Sequence, residues 1–276
     1  MLSKVHRIFP IFLLGVCLQS IHADLFLDKN LEQAVRRQVF SKRNAKEPLK
    51  AEDVARVTTV KVADRGIVSL KGLEACKALA SLELQGNAIE DLSPLAGLER
   101  LQLLDLSRNT LKDLGPVGTL KALQYLNLEH NQVEDLGSLA ELPNLRSLYL
   151  TGNNIRDLKA VSKLTKLWSL YLGENQLEDI SPLKPLVGLV NLSLEGNRIE
   201  DLSALAEMNQ LGMLFLQNNR VGDLSTLIEA TRKDAKGPRR FAPFLQIWLK
   251  GNPAKAGSPQ VRELSEYVRK VDFSYE

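Results

Sequence analysis

The residues of this 276-residue chain that could do chemistry are few: three histidines (His6, His22, His130), two cysteines (Cys17, Cys76) and a pair of carboxylates, Glu83 and Asp105. A cysteine with a histidine can act as nucleophile and base or hold zinc, and two close carboxylates can act as general acid and base. His6, Cys17 and His22 fall in the segment 1–23, where Lys4 and Arg7 precede an apolar run from Ile8 to Leu18, and then Ala23. That order is a secretory leader, because the run is well short of the ~20 residues of a membrane-spanning helix. Without the leader, His130 is the one histidine left and Cys76 the one thiol, so neither a Cys/His metal site nor an intramolecular disulfide can form. Cys76 shares an apolar column with Leu98, Leu120 and Leu142, which makes it a buried, inert thiol. Glu83 and Asp105 are expected on adjacent strands ~4.8 Å apart, but an open sheet face gives no desolvation to tune them and they read as solvated charge. Gly86, Gly152, Gly196 and Gly251 form no phosphate loop; each precedes a recurrent asparagine, where glycine serves backbone freedom. These residues point to a non-enzymatic protein with no metal and no cofactor.

The elements that position them come from a repeat. Asn87, Asn109, Asn131, Asn153, Asn175, Asn197 and Asn219 recur at one constant spacing, each in a frame such as Leu145-Arg-Ser-Leu148-Tyr-Leu150-Thr-Gly-Asn153-Asn-Ile155. A period as long as that from Asn131 to Asn153 marks a solenoid. The alternation Leu148, Leu150 is a short strand with one buried face, and the amide of each Asn can satisfy backbone groups that a tight turn leaves unpaired. Beyond it, segments such as Asp91-Leu92-Ser-Pro94-Leu95 space their leucines by three, as in one turn of 3₁₀ or α-helix on the outer face. Asp91, Asp113, Asp135, Asp157, Asp179, Asp201 and Asp223 recur at the start of that turn and read as amide caps rather than as a ladder for cations.

The frame extends both ways. Upstream it reaches Val57 to Ile67 with Arg65 at the turn position; downstream the step from Asn219 to Asn252 is half as long again as the others, which places an insertion near 230–241. The insertion carries Arg232, Lys233, Lys236, Arg239 and Arg240 around Gly237-Pro238 and reads as a solvated basic loop. The expected organisation is a signal peptide over 1–23, a helical N-terminal cap over 24–56 with Asp28 or Asn30 at the helix start, about nine coils over 57–257, and a C-terminal cap helix over 258–276 opened by Ser258-Pro259. Val261, Leu264, Val268 and Val271 are the expected buried residues of that last cap.

The frame N-x-I-x-D-L-S-P-L-x-x-L resembles the leucine-rich repeat of the bacterial internalins and of the related regulatory subunit of protein phosphatase one, which has the same period. The stretch from Phe26 to Glu74 also resembles the helical cap that opens internalin arrays. The resemblance implies an α/β leucine-rich-repeat solenoid: a curved parallel sheet on the concave face, short helical turns on the convex face, and helical caps at both ends. The sequence ends at Glu276 without a sorting motif or apolar tail, so wall anchoring and receptor choice are not expected to carry over.

Function then falls to the positions the fold does not dictate. The residue between the last two leucines of each strand faces the inner curve and reads Lys61, Glu83, Asp105, Asn127, Tyr149, Tyr171, Ser193, Phe215 and Trp248 along the array. Tyr125 and Met213 lie two positions earlier in their coils, and Trp168 is expected on a strand as well. From Tyr149 to Trp248 the aromatic lane would run ~19 Å, too long for a metal or small cofactor and suited to the centre of a protein interface. Tyr125, Tyr149, Tyr171, Met213, Phe215 and Trp248, with Glu83 and Asp105 at the charged end, are therefore the expected contacts of another protein. The same rings could instead stack on a glycan, which leaves a glycan or cell-wall role open; an intracellular scaffold like the phosphatase regulator is the reading if the leader is not one. Net charge is +3, of which Lys4 and Arg7 supply two, and no clustered basic footprint marks a nucleic-acid binder. The expected location is secreted or periplasmic with no membrane span in the mature chain. Lipid anchoring through Cys17 is the second reading, set back by Val16 where a small residue is needed.

Overall fold

The computed structural model describes residues 24–274; the segment expected to be a leader, with Cys17, His6 and His22, lies outside them. Ten short strands form one parallel sheet in chain order: Thr59–Lys61 (β1), Ser81–Glu83 (β2), Leu103–Asp105 (β3), Tyr125–Asn127 (β4), Ser147–Tyr149 (β5), Ser169–Tyr171 (β6), Asn191–Ser193 (β7), Met213–Phe215 (β8), Gln246–Trp248 (β9) and Lys270–Asp272 (β10). Each strand pairs with the next coil's equivalent residues, as in Leu148 opposite Leu170 and Tyr149 opposite Tyr171. The sheet stays open, and 3₁₀ turns such as Ser93–Leu95 and Lys159–Lys163 return the chain along the other face: a leucine-rich-repeat solenoid.

One coil shows why the sequence folds this way. Leu148, Leu150, Ile155, Leu158, Val161, Leu164 and Leu167 are all buried and meet their counterparts in the coils on either side, so the core is a continuous column of aliphatic layers. An apolar residue at every third position after Asp157 matches the repeat of a 3₁₀ helix, which keeps Leu158, Val161 and Leu164 on one side.

The asparagines work as inter-coil staples. Asn153 Nδ2 donates to the carbonyl of Leu150 in its own coil and of Leu128 in the preceding one, each at 3.0 Å, while its Oδ1 accepts from Val133 N–H at 3.0 Å. Asn109, Asn131, Asn175, Asn197 and Asn219 repeat the arrangement, and Asn252 repeats it across the insertion. The residue before each staple is left-handed even where it is not glycine, as in His130 at φ 52° and Glu174 at φ 52°. Glycine at 152 answers a second need: a Cβ there would meet His130 Nδ1 at 2.4 Å.

The aspartate column caps. Asp91, Asp113, Asp135, Asp157, Asp179, Asp201 and Asp223 each accept from the backbone N–H two positions on, at 2.7–2.9 Å. In Asp91, Asp157, Asp201 and Asp223 that N–H, and then the side chain of the same residue, hold the carboxyl below its usual range. A carboxylate with a depressed folded pKa stabilises the fold above its unfolded value of ~3.9 and loses that contribution as pH falls through the folded one. Melting temperature is thus expected to hold from neutral pH to about 5 and to decline below about 4. Calcium should leave it unchanged at neutral pH, because one oxygen of each carboxylate is committed to a backbone amide. A melting point that climbs on acidification, or with calcium, would contradict the capping assignment.

The caps close the column. Helix α1 (Lys29–Gln38) starts at Asp28, whose carboxylate accepts from Asn30 and Leu31 N–H and, through its other oxygen, from Val68 N–H of the first coil. Asn30 does not cap; its Nδ2 reaches Arg65 O, tying the cap to the coil in which Arg65 occupies the asparagine position. A one-turn helix, α2 (Ala51–Val54), follows. At the other end the first part of the insertion is not a loop but the end of a helix, α3 (Ser225–Lys236), with Leu227, Ile228, Thr231 and Asp234 buried on one face, while Lys233, Lys236, Arg239 and Arg240 are exposed. Buried Asp234 accepts from the backbone N–H groups of Arg240, Phe241 and Ala242, which folds the chain after Gly237-Pro238 back onto the array. Burial pushes its carboxyl up, and these three donors outweigh that and leave it below the usual range. Helix α4 (Pro259–Ser265), capped by Ser258, buries Val261 and Leu264 and pairs Glu263 with Arg232 of α3. Val271 lies past the helix on β10, opposite Ile247.

Candidate concave interface

Register fixes what the inner face presents. Position three of successive strands runs Lys61, Glu83, Asp105, Asn127, Tyr149, Tyr171, Ser193, Phe215, Trp248, each opposite the next across the ladder. Tyr125 and Met213 occupy position one of β4 and β8, on the same face by alternation.

The rings touch one another. Tyr125 and Tyr149 are tilted with centroids 5.2 Å apart, Tyr149 and Tyr171 stack at 4.7 Å and 12°, and Phe215 and Trp248 stack at 4.3 Å and 14°. The aromatic lane expected to run unbroken from Tyr149 to Trp248 is therefore two stacks, interrupted at β7 by buried Ser193. All five rings are half-buried by their neighbours. Burial raises the Tyr125 hydroxyl to about 12, with Asp105 adding to the shift, and burial followed by Glu129 raises Tyr149.

At the charged end, Glu83 is paired with Lys61 at 2.7 Å. Asp105 Oδ1 accepts from the backbone and hydroxyl of Ser107. Both carboxylates therefore already have partners, and nothing encloses them as an acid–base pair. Cys76 is fully buried, and its thiol is pushed up to about 12, first by burial and then by Glu74. Among the described residues no three His, Cys, Asp or Glu side chains gather as metal ligands, and no helix is long and apolar enough to cross a membrane.

Three residues outside the strand frame also shape this face. Trp168 is not on a strand: it precedes β6, stands 57% exposed at the sheet margin, and has the Arg146 guanidinium over its ring at 5.1 Å. Glu129 and Glu195 lie two positions past the third residue of β4 and β7, on the same face by alternation, beside the tyrosines. The ladder continues beyond the assigned strands, as Leu128 N–H to Tyr149 O and His130 N–H to Thr151 O show, so the period-two pattern carried one step further would have found both.

Residues 99–141 and 143–185 each match the family model of leucine-rich repeats in two copies. Internalin C2 of Listeria monocytogenes is 33% identical, with a TM-score of 0.70 over 74% of this chain and 89% of that one. A leucine-rich-repeat protein of Leptospira interrogans is 24% identical, with a TM-score of 0.70 over 82% of this chain and 63% of its own. A plant peptide hormone receptor, solved in complex with RGF2, is 20% identical with a TM-score of 0.62 over 82% and 41%. These last two share the fold alone. No curated protein sequence matches the chain.

Proposed function

This chain belongs to the internalin family of leucine-rich-repeat proteins, and from that premise we propose that it is an exported, non-enzymatic binding module that holds another protein on its concave face. Leucine-rich-repeat proteins of the internalin and receptor type act in protein binding. The observation that carries the concave assignment is the clustering of five aromatic rings on that sheet face, in two stacks packed ring to ring. Tyr and Trp are favoured anchors of protein interfaces, and rings held by their neighbours lose little freedom when a partner arrives. Stacking also argues against the glycan alternative, since a sugar needs an open ring face and Tyr149 is covered by Tyr125 and Tyr171. Export rests on the order of basic start, apolar run and Ala23.

The test pairs stability with capture. Tyr171→Ala and Trp248→Ala should each cost the fold no more than about 1.5 kcal/mol, the scale of one aromatic pair. Loss of partner affinity should reach about 2 kcal/mol or more. Lys159→Ala, on the opposite face, is the control. Aromatic variants that fold and capture as well as the control would reject the concave site. Capture of purified polysaccharide in place of protein would favour the glycan reading, and intact Met1 on the native protein would reject export.

A further inference from the structure

The short segments that lead into the strands run up one flank of the solenoid, and the backbone binds them into a row. Trp168 N–H donates to Arg146 O at 2.9 Å, Val190 N–H to Trp168 O at 2.9 Å and Gly212 N–H to Val190 O at 2.8 Å. Ahead of β1 to β6 each segment holds one exposed cation: Arg56, Lys77, Arg100, Lys121, Arg146 and Lys166. Glu99 is the one carboxylate in those segments. Among the described residues only Lys121 of these cations makes a salt bridge, to Glu141 of the next coil at 3.1 Å. One cation per coil is scattered in the sequence, and stacking gathers the charges into a lane ~24 Å long at ~4.8 Å per strand.

From β6 onward the same flank turns apolar. Most of the large apolar side chains that stand exposed among the described residues are here: Trp168 at 57%, Val187 at 46%, Val190 at 38% and Phe244 at 61%. The Arg146 guanidinium over the Trp168 ring joins the two halves. Gly212, next in the row, adds no side chain beside Val190. An exposed apolar strip of this kind marks a surface that something covers.

The covering surface has to offer anions along one half and apolar matter along the other. The opposite flank of a second copy offers the aspartate column, but its Asn-to-Asp segments, from Asn87–Asp91 to Asn219–Asp223, expose no large apolar side chain. It would satisfy the cations alone, and so would a soluble polyanion. A bilayer with anionic lipid carries phosphates at its surface and acyl chains just beneath, and tryptophan is favoured at that boundary. Shape agrees with charge. The inner and outer faces of a solenoid are curved, whereas a flank lies in the plane of the arc and can meet a flat surface along its length.

We propose that this flank docks on an anionic lipid bilayer, with the lane from Arg56 to Lys166 on the headgroup phosphates and Trp168, Val187, Val190 and Phe244 in the interface below them. The contact uses neither the tyrosine stack nor the Phe215–Trp248 pair. It therefore leaves the concave face open to a protein partner and does not depend on that reading.

The test is co-sedimentation of the intact protein with vesicles of phosphatidylglycerol and phosphatidylcholine in equal parts, against vesicles of phosphatidylcholine alone. Affinity should be at least about tenfold higher for the anionic vesicles and should fall as salt rises. In Trp248→Phe, which leaves Trp168 as the one tryptophan, emission should shift to the blue on the anionic vesicles. Arg100→Gln with Arg146→Gln and Lys166→Gln should remove most of the preference. Trp168→Ser with Phe244→Ser should abolish the binding that survives high salt. All five side chains are exposed, so both variants should melt like the parent. Equal sedimentation with the two kinds of vesicle, or no shift in Trp168 emission, overturns the proposal. Dextran sulfate bound as tightly as the anionic vesicles, with the serine pair without effect, would make the flank a polyanion site. Self-association lost in the glutamine variant, with no vesicle binding, would make it a contact between copies. Either result overturns the lipid assignment.

Discussion

Replacing Asn153 with alanine is expected to cost the array ~1–3 kcal/mol, the scale for a buried polar group left unpaired. The group left without a partner is the Val133 N–H, while the carbonyls of Leu128 and Leu150 lose one donor each and keep Asn131 Nδ2 and Asn175 Nδ2. Asn153→Asp should not restore the loss: a carboxylate keeps the acceptor for Val133 but turns a second oxygen toward the two carbonyls. Urea unfolding of the three proteins, with helical and sheet signals followed together, reads the result. A cost below about 1 kcal/mol would mean that the staple is not what closes the turn. Because each coil touches only its neighbours, the damage should appear first as faster amide exchange between Leu128 and Leu150.

Asp234→Ala should be at least as severe, about 3 kcal/mol, although the residue belongs to no repeat column. Its carboxylate is the acceptor for three successive N–H groups, those of Arg240, Phe241 and Ala242, and two of these donors lie on buried residues. Without it the turn after α3 keeps only the residue-234 carbonyl, which accepts from Gly237 and Arg239 N–H, and the Arg240, Phe241 and Ala242 N–H groups lose their shared acceptor. Asp234→Asn keeps one oxygen and should lie between alanine and the parent. If Asp234→Ala melts like the parent protein, the segment after α3 is held by Phe241 packing instead.

Most of the fold is legible in the sequence because it repeats. An asparagine or aspartate that returns once per coil has the same backbone neighbours each time, so one local argument about amides and carbonyls covers the whole array. The insertion has no such redundancy. Thr231 and Asp234 are polar, and their spacing with Leu227 and Ile228 hides a helical face that composition alone assigns to solvent. Both are buried because their partners are internal: Thr231 Oγ1 donates to Leu227 O, and Asp234 takes its three amides. Counting places Tyr149, Tyr171, Phe215 and Trp248 in one column, but which rings touch depends on strand spacing and side-chain lean. The interruption by Ser193 therefore reads in the sequence as one small residue in a lane rather than as a gap between two stacks. Trp168 suits a strand for being aromatic, whereas the ladder starts one residue later and leaves it at the margin.

The use of the concave face is tested most directly by radical footprinting of the aromatic side chains with the captured partner bound and absent. The face offers Tyr125, Tyr149, Tyr171, Phe215 and Trp248, and the same chain carries exposed Phe40 and Phe244 elsewhere as internal references. Partner binding should protect the concave rings and leave Phe40 and Phe244 as reactive as before. Protection confined to Phe40 or Phe244, with Tyr149 and Tyr171 unchanged, would contradict the account.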